Sequence, residues 1–452
     1  MNRRQLLLTA GGGLGALALN SLEAATHHPA KAKRVISLFM SGGVSHLDTF
    51  DPKPALTRYA GHPLEGKGEV VVRQGHPGPL MPSPFAFRRH GQSGLEVSEL
   101  FPKLGALCDE YALIRSAFSK SNDHVQAHYA LASGQIRMGF PSLGAWVSYG
   151  LGSLNQDLPG YVVLYDQRGG PFGGPANWTA GFMPAAYQGT VFRAANQPIL
   201  DLQPPPGVSA AEQRQRLAAL RQLNSLDAAR APSNSELTAR LDSYELAYRM
   251  QSAAPDAVDL SSESPATRRL YGLDEAHTEP FGRQCLMARR LVERGVRFVQ
   301  LYHGGLGNQN LDTWDAHEDV KTNHTRHAAA TDTPIAGLLS DLKARGLLAD
   351  TLVLWHGEFG RMPISQRGLG RDHNPGVMSL WMAGAGIRGG QVIGTSDEFG
   401  YKAEEQPVSV HDFHATILHL LGLDHTRLTY QYSGRQFRLT DTAGNVVKDI
   451  LA

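Results

Sequence analysis

Thr351-Leu352-Val353-Leu354-Trp355-His356-Gly357-Glu358-Phe359-Gly360-Arg361 decides the fold class of this chain. Its first six residues read as a buried strand, and the glycines that follow turn the chain while presenting a carboxylate and a guanidinium. Two other stretches repeat the arrangement. Arg34 to Met40 is an apolar run that stops at Ser41-Gly42-Gly43 and is followed by His46 and Asp48. Val296 to Tyr302 ends at His303-Gly304-Gly305 and is followed by Asp315 and His317. In an open α/β sheet, ligands bind outside the carboxyl ends of the strands, so three such strands point to one shared site.

Working outward, further strands are expected at 112–115, 161–165 and 380–384, and helices at 95–111, 124–133, 282–295, 325–346 and 410–421. The helix over 124–133 should stop at Gly134. Strands alternating with helices imply a three-layer α/β/α sandwich around a mainly parallel sheet, spanning residues 33–445. From Ser209 to Ser252 the composition turns charged and helical, with a break at Pro232, and reads as a helical insertion within that domain.

The chain has 452 residues, 42% of them apolar, which is enough for a large core. Its 43 basic and 42 acidic side chains give a formal charge of +1, so there is no electrostatic footprint for nucleic acid. Arg3-Arg4 precede an apolar, glycine-rich stretch that closes on Ala24-Ala25. This reads as a twin-arginine signal peptide over residues 1–25, too short for a stable membrane span, and implies a periplasmic or extracellular protein. Cys108 and Cys285 could pair there or stay as buried thiols. Neither is followed by the Pro and Arg that formylglycine sulfatases need.

Nineteen histidines are many for this length, and several stand beside glycine turns. Asp48, His124, Asp315, His317, Glu358 and His373 supply oxygen and nitrogen donors that suit zinc, or alternatively manganese, iron or calcium. Asp315-Ala316-His317 places two donors at alternate positions, so that extended backbone projects both to one side. Glu358 at a strand end needs a metal or a cation, and Arg361 or Arg371 could provide the latter. His411 lies within reach of the site, whereas His414 and His419 read as core or surface residues.

A family resemblance rests on Ser45-His46-Leu47-Asp48-Thr49-Phe50-Asp51-Pro52-Lys53-Pro54, Tyr271-Gly272-Leu273, Glu279-Pro280-Phe281-Gly282-Arg283-Gln284-Cys285, Trp314-Asp315-Ala316-His317, Gly357-Glu358-Phe359-Gly360-Arg361 and Gly370-Arg371-Asp372-His373. These segments resemble the secreted bacterial family called domain of unknown function 1501. More broadly, the order of elements is similar to the alkaline-phosphatase-like superfamily. The resemblance implies a metal site from Asp48, Asp315, His317, Glu358 and His373, with Arg361 and Arg371 stabilising charge on a bound ester. Glu358 stands where the superfamily has Asp, Phe359 where it has a metal-binding His, and His124 where it has the Ser or Thr nucleophile. A histidine there could be a ligand or carry a phosphoryl group, but it forms no alkoxide.

The resemblance therefore implies a metal-dependent hydrolase of phosphate or sulfate esters, with water attacking directly and a small-molecule or glycan-linked substrate. The alternative is a non-catalytic secreted binding protein that retains a degenerate metal site. The sequence leaves the oligomeric state open.

Overall fold

The computed structural model of the chain describes residues 26–67, 70–193, 199, 207–230, 235–307 and 312–452. The expected signal peptide lies outside them. The central sheet has nine strands: β1 (Arg34–Met40), β2 (Tyr111–Phe118), β3 (Tyr161–Leu164), β4 (Thr190–Phe192), β5 (Phe298–His303), β6 (Thr351–His356), β7 (Met378–Ala383), β8 (Gln391–Ile393) and β9 (Val408–Ser409). Their order is β8-β2-β7-β6-β1-β5-β3-β4, with β9 beside β2.

β1 sits between β5 and β6 and runs parallel to both, with Met40 opposite His303 and Phe39 opposite His356. A strand so placed is covered on both faces, which is why its sequence is continuously apolar rather than alternating. The two-residue period still sorts its side chains. Ile36, Leu38 and Met40 join a core with Leu286 and Leu291 of the helix Glu279–Glu293 and Leu338 and Leu342 of the helix Val320–Ala344. Val35 and Phe39 face the other core, with Trp146 and Val147 of the helix Leu143–Leu151 and Phe413 and Ile417 of the helix Val410–Leu420. Each leucine or isoleucine buried in this way contributes roughly 1.5–3 kcal/mol.

The helices are α1 (His124–Ser133), α2 (Leu143–Leu151), α3 (Ala210–Arg230), α4 (Ser235–Val258), α5 (Glu279–Glu293), α6 (Val320–Ala344) and α7 (Val410–Leu420). The molecule is therefore a three-layer α/β/α sandwich. α3 and α4 fall in the charged stretch, and the break read at Pro232 lies outside the described residues. α4 is not all periphery: Met250, Ala254, Ala257 and Val258 are buried against the α5 face of the sheet.

One expectation needs correction. The single helix over 95–111 is instead a strand, Leu95–Ser98, paired antiparallel with Phe87–His90, then a short helix Pro102–Ala106 and one further turn Cys108–Glu110. Pro102 is the cause, because proline can open a helix but disfavours helical backbone just before it. β7 runs antiparallel to both neighbours, β2 and β6, and it is the one reversed strand of this sheet among the described residues. No membrane-crossing helix, long and apolar enough, occurs among the described residues.

Candidate metal centre

The carboxyl ends of β1, β2, β5 and β6 and the start of β7 meet at one edge of the sheet. β2 leads through Ser119–Asp123 into α1, whose first residue is His124; Asp123 caps that helix by accepting from the Gln126 amide. The β5 exit carries Asp315 and His317, and the approach to β7 carries His373. Two glycines let these loops close up. Gly42 has φ +116°, and a Cβ there would lie 2.5 Å from the Trp314 amide nitrogen and 2.6 Å from that of Asp315. A Cβ on Gly370 would lie 1.9 Å from the His317 carbonyl oxygen. Any larger residue would push the Asp315–His317 loop away from its partners.

The result is a buried group of four. Ligand atoms of His124, Asp315, His317 and His373 all lie within 4.8 Å of one another. His317 Nε2 is 2.8 Å from His373 Nε2 and 2.8 Å from Asp315 Oδ1. His373 Nε2 is 3.3 Å from Asp315 Oδ1, and His124 Nε2 is 3.3 Å from Asp315 Oδ2.

The outer hydrogen bonds fix the tautomers. His373 Nδ1 is 2.6 Å from the Asn122 carbonyl oxygen, which can only accept, so Nδ1 carries the hydrogen. His124 Nδ1 is 2.7 Å from Glu358 Oε1, again an acceptor. For His317 the partner is Gln366 Oε1 at 2.5 Å. The Gln366 amide nitrogen donates to the Gly75 carbonyl at 3.1 Å, which orients that amide and places its oxygen on His317. With all three Nδ1 atoms acting as donors, three Nε2 atoms point at Asp315, and two of them face each other at 2.8 Å with lone pairs opposed. Such an arrangement could hold a cation between them.

Electrostatics agree. Burial pushes the His373 pKa down to about 4, although Asp315 works against it, so Nε2 is free of a proton at neutral pH. Burial also acts downward on His124, but Asp315 and Glu358 outweigh it and hold its pKa up at about 9. In the metal-free protein a proton on His124 therefore supplies positive charge to the cluster. Asp315 feels an upward push from burial, yet Arg361 and His124 keep it well below the usual carboxylate range.

The family model described as Protein of unknown function (DUF1501) matches residues 32–451. The chain belongs to this family. No curated protein matches it in sequence. Among solved structures, the DUF1501 chain is similar to the lipoteichoic acid synthase LtaP from Listeria monocytogenes, at 10% identity, covering 94% of this chain and 79% of that chain with a TM-score of 0.41. It is also similar to the PsFucS1 sulfatase from Pseudoalteromonas sp., at 13% identity over 94% and 72% of the two chains with a TM-score of 0.36. For the alkaline phosphatase from the Antarctic bacterium TAB5 the values are 11%, 78%, 92% and 0.33. These likenesses are slight.

In the DUF1501 chain, the sequence-predicted ligands Asp315, His317 and His373 come together, and His124 joins them. Glu358 stands one layer out. Its Oε1 accepts from His124 and, at 2.9 Å, from the Gly42 amide, with His128 Nε2 at 3.5 Å. Asp48 is corrected from ligand to ion-pair partner, because its carboxylate takes Arg371 Nε at 2.8 Å and both residues are fully buried. The expectation that Arg361 and Arg371 meet a substrate is corrected as well. Arg361 donates to the carbonyls of Gly42, Gly43 and Arg371 and to Asp315 Oδ1 at 2.7 Å. Arg371 spends its remaining donors on the carbonyls of Met81, Pro82 and Met362. Both guanidiniums are fully buried clamps between loops. His411 and His414 lie outside the group of four, and His414 Nε2 donates to the Leu131 carbonyl. Cys108 and Cys285 are both free and buried.

Sequence reasoning missed Asn122, Gln366, Gln74 and His128. Only His128 carried a signal: it follows His124 by four residues on α1, so one helix face presents both rings.

Proposed function

We propose that this protein is an exported, metal-dependent hydrolase of phosphate or sulfate esters, with one divalent ion held by His124, Asp315, His317 and His373. The observation that carries the reading is the convergence of three Nε2 atoms on one carboxylate, each ring held by a hydrogen bond at its far side. The donor atoms lie from 2.8 Å apart to no more than 4.8 Å apart, so one ion with bonds of about 2.0 Å can draw in all four with small side-chain adjustments. Three imidazoles and one carboxylate suit zinc first, then iron or manganese, and set calcium aside, since calcium takes oxygen donors.

A divalent ion bound here supplies Lewis acidity and lowers the pKa of water. The chain's own residues do the rest. Glu358, Asn122 and Gln366 keep the three rings oriented, and Arg361 holds Asp315 against the β1 turn. Ser121, the nearest upstream hydroxyl, is tied to Gln126 Oε1 at 3.0 Å and to the Asp123 amide at 3.1 Å. With His124 in the ligand group and Ser121 engaged, water is the nucleophile. A second reading, a non-catalytic protein that binds an anion through the ion alone, is favoured by the burial of both arginines as clamps between loops. Turnover of aryl phosphate and aryl sulfate esters by zinc-loaded protein separates the two, and no turnover of either ester favours the binding protein.

Proton release tests the ligand set directly. The raised pKa of His124 stabilises the metal-free fold below its ordinary value of 6.5, and this contribution is lost as pH rises through about 9. Ion binding through Nε2 must displace that proton. Zinc binding at pH 7 is therefore expected to release about one proton, and affinity to fall as pH drops. Calorimetry in buffers of different ionisation enthalpy reads the number, and a value of zero would remove His124 from the ligands.

Export belongs to the same proposal. Changing Arg3 and Arg4 to Lys is expected to trap the precursor in the cytoplasm, and unchanged secretion would exclude the twin-arginine route.

A further inference from the structure

One segment touches every loop that supplies a histidine to the cluster, although it contains no titratable ligand itself. The Arg73 and Gln74 backbone amides donate to Asp372 Oδ2 at 2.8 and 2.9 Å, next to His373. The Arg73 guanidinium pairs with Asp123 at 2.9 Å, next to His124. The Gly75 carbonyl accepts from Gln366, which holds His317 from behind. The Gln74 side-chain amide reaches the cluster itself, 2.9 Å from His317 Nε2. Arg73 and Gln74 are nonetheless exposed. Three anchors of this kind are more than a passing surface loop needs.

The Gln74 contact has a chemical consequence. His317 Nδ1 donates to Gln366, so Nε2 is an acceptor and Gln74 meets it with its N–H. Once the His317 lone pair is committed to an ion, that N–H has lost its acceptor. A half-turn of the terminal amide exchanges nitrogen for oxygen at nearly the same place, and an amide oxygen is itself a metal donor. Resting on the metal centre argued above, we infer that Arg73–Gly75 is a latch across the centre, and that the Gln74 amide oxygen holds the coordination position a substrate oxygen must take. Arg73 and Asp372 keep the latch shut, and substrate entry displaces Gln74.

Cobalt-loaded protein tests this through binding alone. Gln74→Ala and Arg73→Ala change exposed side chains and leave the core intact. Removal of cobalt by EDTA is expected to be about tenfold faster in Gln74→Ala, with Arg73→Ala between it and the wild type. Inorganic phosphate should perturb the visible cobalt spectrum of Gln74→Ala at lower concentration, because the position it enters is open. Stripping rates and phosphate titrations identical to wild type would overturn the latch while leaving the metal centre standing. A wild-type protein that takes up no cobalt would overturn both.

Discussion

His317→Ala is expected to lower zinc affinity by about 10²–10³-fold while leaving the metal-free protein folded. Four-ligand protein zinc sites bind with roughly 10–16 kcal/mol, so one ligand accounts for about 2.5–4 kcal/mol. Beyond the cluster the ring bonds only to the side-chain amides of Gln366 and Gln74, so its loss leaves no buried charge unpaired. Asp315→Asn should differ in kind. It weakens the ion's hold similarly but also takes away the carboxylate that accepts from Arg361, a guanidinium that is fully buried. Stability should therefore fall by roughly 3–5 kcal/mol even without metal. Glu358→Gln, which removes the charge behind His124 while keeping an oxygen for the Gly42 amide, should cost about 10–100-fold in affinity. Zinc stoichiometry with equilibrium dialysis, beside denaturant melts of metal-free protein, reads all three. Full wild-type affinity in His317→Ala would show that the cluster is not a metal centre.

Asp48→Ala is expected to destabilise the fold by roughly 3–5 kcal/mol without lowering zinc content, the reverse of what a ligand would do. The carboxylate and Arg371 are both fully buried and hydrogen-bonded to each other at 2.8 Å, so truncating one strands the other. Burial pushes the Asp48 pKa up, but Arg371 outweighs it and holds the group below the usual carboxylate range. A depressed folded pKa stabilises the protein above the ordinary Asp value and the contribution is lost as pH falls through the folded value. The variant should thus show a flatter loss of stability in acid than the wild type. Coincident loss of zinc and unchanged melting in Asp48→Ala would return this residue to the ligand set.

The strands that organise the molecule were readable because their burial leaves a local mark. β1, β5 and β6 are apolar runs cut off by glycine, and the glycine was needed where Gly42 meets the Trp314 and Asp315 backbone. The 95–111 region was misread because Leu100, Leu104 and Leu107 mimic a helical face while Leu95 and Val97 alternate as a strand. Pro102 marked the join. The direction of β7 left no trace, since pairing sense is set by the connection and not by composition. At the site, ligand type was legible but rank was not. Asp48 and Glu358 carry the same carboxylate chemistry as Asp315, and only the position of Arg371 and His124 in space makes one a clamp and the other a support. Gln74, Gln366 and Asn122 act through amide groups whose roles depend on partners far away in sequence.

The reversal of β7 also explains how one sheet edge gathers so many donors. A parallel strand reaches this edge only as it leaves the sheet, and a crossover must then carry the chain back to the opposite edge before the next can begin. Between β6 and β7 that return journey is skipped. The chain leaves at His356, makes a short excursion at the rim and re-enters at Met378, so that an outgoing strand places Glu358 and an incoming one is preceded by His373. Both ends of the excursion are pinned in the same sheet. Its tolerance for added residues is accordingly small, and length variation is better absorbed on the far edge, where the connections run without touching the centre.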